Sequence, residues 1–211
     1  MTSIGLTELQ GIISKVRGIM EEQRDHLIKI DGEMGDGDLG ITMEKAFVAA
    51  DDYLSSYDAD DLGKGLMQMG MTMAKAAPST MGTLLATGFM RGGKAVQGKN
   101  ELTVGDLATM FRAFSDGLME RGKSKPGDKT IIDVMAPVAE SLESTSDDNL
   151  AHVFRSAYDA AAKGLQNTKE MTAQHGRPAY YQEKSVGKAD PGGTAGLYLI
   201  QGFKDYLESA K

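Results

Sequence analysis

Apolar residues recur at three- and four-residue steps almost from end to end of this chain, a periodicity that favours helices and little else. Leu9, Ile12, Ile13, Val16, Ile19 and Met20 form one stripe along a first predicted helix, and Thr7 with Gln10 reads as its capping box. A second helix is predicted over Thr42 to Leu54. A third covers Asp61 to Lys75, with Leu62, Leu66, Met69 and Met73 inward. The fourth follows Gly82 and carries Leu84, Leu85 and Phe89. The fifth opens at Thr103, boxed with Asp106, and shows Leu107, Met110, Phe111, Phe114 and Leu118. The sixth covers about Thr130 to Ser144, the seventh opens near Asn149, and the last carries Leu197, Ile200, Phe203 and Leu207. Period-two alternation is almost absent, so the expected fold is all-α.

Helices joined by short loops pack antiparallel, which places alternate loops at the same end of the bundle. The loops after predicted helices one, three, five and seven read IDGEMGDGDLG, AAPSTMG, ERGKSKPGDKT and MTAQHGRPAYYQEKSVGKADPGG. They hold nearly all the unusual chemistry. The opposite loops, SSYDADD, VQGKNEL and STSDDN, are ordinary polar turns. One rich end and one bland end is the pattern of a single ligand site on the rim of a bundle.

Composition narrows the field. The 211 residues suit a single domain over 1–211, with hydrophobic residues at 41% and charged residues at 25%. The absence of cysteine excludes disulfides, thiolate metal sites and a cysteine nucleophile. Net charge is -7 with no basic stripe, against a nucleic-acid binder. No basic leader precedes an apolar run and no apolar stretch approaches the ~20 residues of a membrane span, so the expected location is the cytoplasm.

Asp31, Asp36 and Asp38 fall within eight residues, interleaved with Gly32, Gly35, Gly37 and Gly40. Three carboxylates held together repel one another unless a cation lies between them, and an all-oxygen ligand set points to Mg²⁺ or Ca²⁺. The plain alternative is a solvated acidic turn. An EF-hand is excluded, because the sixth position counted from Asp36 is Ile41 and the twelfth is Phe47. Gly35-x-Gly37-x-x-Gly40 has the letters of a dinucleotide fingerprint without the preceding strand. The run GFMRGGKA from Gly88 is a near miss to a phosphate loop inside a predicted helix, so Gly88 and Gly92 are expected to serve close helix packing. Pro78 to Gly82 leads into a helix N-terminus, which is either an anion site or an ordinary cap. The loop of about twenty residues before the last helix is longer than a compact bundle needs. No Ser-His-Asp reading survives, and His26 and His152 are expected on helix surfaces.

Three separated stretches resemble one known family: Asp31 to Gly40, RGKSKPGDKTIIDVMAPVAESL from Arg121, and GRPAYYQEKSVGKADPGGT from Gly176. They look like the L, or nucleotide-binding, subunit of dihydroxyacetone kinase, of the bacterial phosphotransferase-linked type. The resemblance spans essentially the whole chain. It implies an antiparallel eight-helix barrel binding ADP or ATP at one rim through two Mg²⁺ ions held by Asp31, Asp36 and Asp38. It implies that Leu39, Gly40, Ile41 and Thr42 run along the phosphates. Thr80, Met81, Gly82, Gly122 and Ile131 would line the nucleotide, with Arg177, Asp190, Pro191 and Gly192 closing over it. Arg177 is the candidate for stabilising the transferred group. The implied partners are a sugar-binding K subunit and a phosphohistidine phosphocarrier protein of the phosphoenolpyruvate pathway. The alternatives are an ATP-dependent triose or tetrose kinase, or a module whose nucleotide state a transcription factor reads. Two departures stand out: Leu39 where members often carry His or Cys, and Pro78-Ser79-Thr80-Met81-Gly82 where many have a Gly-Gly-(Ala/Ser)-Ser-Gly loop.

Overall fold

The computed structural model describes residues 1–210. Eight long helices form a closed ring: α1 (Leu6–Glu22), α3 (Leu39–Ser55), α4 (Leu62–Ala76), α5 (Thr80–Ala95), α6 (Val104–Gly122), α7 (Ile132–Ser144), α8 (Leu150–Asn167) and α9 (Pro191–Ser209). Each packs on the next, and α9 returns to α1, so the expected all-α barrel is the one observed. Its wall is made of helix stripes that would otherwise face water.

All six phenylalanines of the chain are buried in this core. Phe89 meets Phe114 edge-on at 5.1 Å, Phe111 meets Phe203 at 5.4 Å, and Phe154 stacks on Phe203 at 5.0 Å. Each such pair contributes about 0.5–1.5 kcal/mol beyond burial. The small residues sit where helices approach most closely. A Cβ on Gly88 would lie 2.8 Å from the Phe114 ring and one on Gly92 would lie 2.9 Å from the Met110 carbonyl oxygen. The near-miss phosphate motif is therefore a packing motif within α5.

Three local expectations change. A ninth helix, α2 (Arg24–Gly32), follows α1 across a turn at Gln23 and packs against α3. Its only buried residue is Leu27, so it has no apolar stripe to betray it. Gln23 is held at the break by the Tyr198 hydroxyl, which donates to its side-chain oxygen at 3.1 Å. The second change is at the start of α1, where Gly5 takes the cap position and Glu8 accepts from the Gly5 amide at 2.9 Å. Gln10 instead donates to the carbonyls of Leu54 and Tyr57, closing the C-terminal end of α3. The third is a two-residue antiparallel ladder, β1 (Ser3–Ile4) with β2 (Leu102–Thr103), which fixes Gly5 in place. The predicted capping box of Thr103 with Asp106 is present, and Asp61 and Asn149, where helices were expected to open, cap α4 and α8.

Candidate functional site

Asp31 lies in the last turn of α2, which ends at Gly32, and the chain must then reverse into α3 within six residues, a turn that depends on glycine. A Cβ on Gly35 would lie 2.4 Å from the Asp31 carboxylate, and Gly37 has φ +72, in the left-handed region. The turn brings one carboxylate oxygen from each of Asp31, Asp36 and Asp38 to within 4.8 Å of one another. Burial, followed by the charges of Asp36 and Asp31, pushes the Asp38 carboxyl above its ordinary range. A cation would relieve that repulsion. Asp36 is paired with Arg177 at 2.6 Å, and Glu33 of the same turn with Lys188 at 2.9 Å.

This turn is one wall of a cavity of about 430 Å³, within the size range of small-molecule sites. The cavity is lined from all four rich loops and from no bland one: Asp31, Gly35, Asp36, Asp38 and Leu39 from the first; Ser79, Thr80 and Met81 from the second; Gly122, Ser124, Lys129, Thr130 and Ile131 from the third; His175, Gly176, Arg177, Pro178, Asp190, Pro191 and Gly192 from the fourth. Helices α3, α5, α7 and α9 all begin at this rim. Their positive dipole ends and first-turn amides make the rim favourable to anions, while the three aspartates favour a cation. A site that attracts both is suited to a metal-bound phosphate ester.

The loops are folded by their own side chains. The Ser79 hydroxyl accepts from Gly82 N at 3.1 Å, and Asp190 accepts from Gly193 N at 2.6 Å. Asp133 accepts from the amides of Gly127 and Thr130, at 2.6 and 2.8 Å, which curls the basic loop back on α7. Asp128 binds Lys125 N at 2.9 Å and His175 Nε2 at 3.0 Å, joining the third loop to the fourth.

The family profile described as the DAK2 domain matches residues 33–205. The chain belongs to the DAK2-domain family. Among its relatives is the "PEP-dependent dihydroxyacetone kinase, ADP-binding subunit DhaL" of Escherichia coli, 34% identical over 94% of this chain and 96% of that protein. Another is the "PTS-dependent dihydroxyacetone kinase, ADP-binding subunit DhaL" of Lactococcus lactis, 26% identical over 90% of this chain and 91% of that one. The dihydroxyacetone kinase of C. freundii, solved with AMP-PNP and Mg²⁺, superposes with a TM-score of 0.71 at 24% identity. The match covers 93% of this chain and 33% of that kinase, so the chain spans a third of its length and the likeness bears on fold.

Twelve of the residues singled out by sequence line the cavity of this DAK2 domain: Asp31, Asp36, Asp38, Leu39, Thr80, Met81, Gly122, Ile131, Arg177, Asp190, Pro191 and Gly192. Four do not. Ile41 is 37% exposed, and Thr42 is buried. Gly40 is where α3 crosses α2, since a Cβ there would lie 2.1 Å from the Arg24 carbonyl oxygen. Gly82 likewise sits 2.1 Å, by the same measure, from the Ala77 carbonyl oxygen. Close backbone approach accounts for the two glycines, and the Ile41 side chain faces solvent. Lys129 and Thr130 line the cavity without having been singled out as site residues. No periodicity marks them, and only the long-range bonds of Lys129 reveal its place. No described helix is long and apolar enough to cross a membrane.

Asp190, at the cap of α9, is the most perturbed acid of this DAK2 domain, its pKa pushed up to about 7 by burial. Its folded pKa exceeds the unfolded value of about 3.9, so the native state keeps a proton that the unfolded chain has released. The stabilisation is complete below about pH 3.9 and disappears as pH rises through about 7. Unfolding free energy of the nucleotide-free chain is expected to fall by about 2–3 kcal/mol from this group between pH 5 and pH 8. Asp190→Asn, which keeps the cap oxygen, is expected to flatten that part of the profile in urea titrations across the range. A variant that loses stability in parallel with the wild type would assign the pH dependence elsewhere.

Proposed function

We propose that this chain is the ADP-binding subunit of a phosphoenolpyruvate-dependent dihydroxyacetone-type kinase, working in the cytoplasm. It would take a phosphoryl group from a phosphohistidine carrier and deliver it to dihydroxyacetone, or a related small ketose, held on a separate K subunit. The observation that carries the reading is the convergence of three carboxylates, four helix N-termini and Arg177 on one cavity. Support also comes from the names of the relatives, two of which are ADP-binding subunits nearly coextensive with this chain.

The residues present fit the implied groups. One carboxylate oxygen from each of the three aspartates lies within 4.8 Å of the others, an all-oxygen cluster that suits a hard divalent cation. Asp31, Asp36 and Asp38 would hold magnesium, two ions in this reading, with water and phosphate oxygens completing each shell. Magnesium and ADP, when bound, supply charge neutralisation and the phosphoryl relay itself.

The protein's part is placement. First-turn amides at Gly40 and Ile41 and at Thr80 and Met81 would receive phosphate oxygens, since those of Leu39, Thr42 and Gly82 are already bonded to the Asp31 carboxylate, the Asp38 carbonyl and the Ser79 hydroxyl. Met81, Gly122 and Ile131 would supply the apolar wall beside the nucleotide, continued by Asp190, Pro191 and Gly192, the last lying directly against Met81. Arg177, paired with Asp36 at the cavity, would turn its guanidinium to the transferring group once Asp36 is engaged in holding a cation. In this reading the sugar hydroxyl that must lose its proton is bound outside this chain. That chemistry falls to the K subunit.

Reconstitution tests this. The purified chain, a K-type subunit and the phosphocarrier system, with phosphoenolpyruvate and only catalytic ADP, are expected to form dihydroxyacetone phosphate. The rate should be proportional to this chain. Turnover that demands a stoichiometric pool of ATP would contradict the relay, and no turnover from either donor would contradict the kinase reading.

A further inference from the structure

Lys129 is 2% exposed, lines the cavity and has a left-handed backbone, φ +59, unusual outside glycine. A buried ammonium is costly unless its donors are satisfied. Its three are: Nζ donates to the carbonyl oxygens of Met171, Ser185 and Lys188, at 3.2, 2.6 and 2.7 Å. Those acceptors stand at the two ends of the segment 171–188, whose residues His175 to Pro178 line the cavity and include Arg177.

Besides the bond from His175 to Asp128, few contacts hold the segment. From Gln174 to Lys188 only Ser185 is buried, while Tyr180, Tyr181 and Val186 are exposed. Gln182 has φ +47 and ψ −125, a strained backbone that persists only where its surroundings enforce it. The Ser185 hydroxyl links Ala173 N to Gln182 O, Gly187 N donates to Lys169 O, and Gln174 N donates to Asp128 O. The ion pairs of Arg177 and Lys188 with Asp36 and Glu33 are largely exposed and individually weak. Lys129 is the side chain that ties both ends at once.

We propose that Lys129 is the positioning residue of the site, fixing segment 171–188 against the cavity and so setting how long a nucleotide stays, without contacting it. The role deepens the nucleotide reading and rests on it for one of its two readouts. Lys129→Met removes all three donors, and Lys129→Gln keeps enough for two of the carbonyls.

In the full chain, tryptic cleavage after Lys184 and Lys188 is expected to accelerate about tenfold or more in Lys129→Met and less in Lys129→Gln, with far-UV circular dichroism unchanged. Dissociation of fluorescent ADP in magnesium is expected to accelerate about tenfold. Affinity of the aspartates for Mn²⁺ alone should stay within about twofold, which a general loosening of the fold would not allow. Cleavage and dissociation at wild-type rates in both variants would overturn the proposal. Faster cleavage with unchanged dissociation would reduce Lys129 to a strut. Should Lys129→Met fail to fold, Lys129→Gln decides on the same readouts. A wild-type chain that binds no nucleotide would remove the kinase reading, and with it the retention role, while the cleavage rates still report whether the pin exists.

Discussion

Asp36→Ala is expected to weaken magnesium-ADP binding by on the order of a hundredfold or more, with the fold intact. Asp36 stands on an exposed turn and packs against nothing in the core, so its removal costs little stability. It does remove one of three converging carboxylates and the partner of Arg177. Loss of supporting groups alone commonly lowers metal affinity by about 10–100-fold, and loss of a ligand lowers it further. Calorimetric titration of the nucleotide-stripped chain with ADP at fixed magnesium measures the effect. Asp31→Asn and Asp38→Asn should weaken binding in the same direction. Unchanged affinity in Asp36→Ala would return the cluster to a solvated acidic turn.

The second large effect is on the barrel itself. Gly63 of α4 and Gly93 of α5 face each other so closely that a Cβ on Gly63 would lie 2.4 Å from the Gly93 carbonyl oxygen. One on Gly93 would lie 2.6 Å from the Gly63 carbonyl oxygen. Both obstacles are backbone, so the helices must separate to admit a methyl group. Gly93→Ala is expected to destabilise the chain by about 2–4 kcal/mol, the upper range of overpacking in a well-filled core. For a domain of this size that is a fall in melting temperature on the order of 5–15 °C. Gly98→Ala is the informative contrast: no atom lies within 4 Å of its Cβ position, but φ is +84, so backbone strain alone operates there. It is expected to cost only about 1 kcal/mol, read by the same thermal melt.

Much of the fold was legible because eight of the nine α-helices among the described residues carry a buried stripe, and a stripe is visible in sequence. Helix α2 carries one buried residue, Leu27, and was invisible for that reason. Loop parity survived the omission, because α2 continues α1 toward the same rim and does not reverse the chain. The capping of α1 was misread since Gln10 serves a partner forty-four residues away, at Leu54, and local spacing cannot report that.

The site divides along the same line. Asp31, Asp36 and Asp38 are close in sequence, so their convergence could be read from glycine spacing. Gly40 and Gly82 border that chemistry, but crossing backbones at Arg24 and Ala77 dictate them, and those contacts are long-range or loop-specific. Lys129 is the extreme case. Its three acceptors lie 42 to 59 residues away, and in sequence it is one lysine among several in a basic loop.

The most direct test of the central claim is the nucleotide content of the chain as purified in magnesium. Denaturation followed by chromatography and mass spectrometry is expected to release about one ADP per chain, since a relay subunit fed by a protein donor keeps its nucleotide. A chain that releases none, and takes up neither magnesium-ADP nor magnesium-ATP when they are added, would contradict the account.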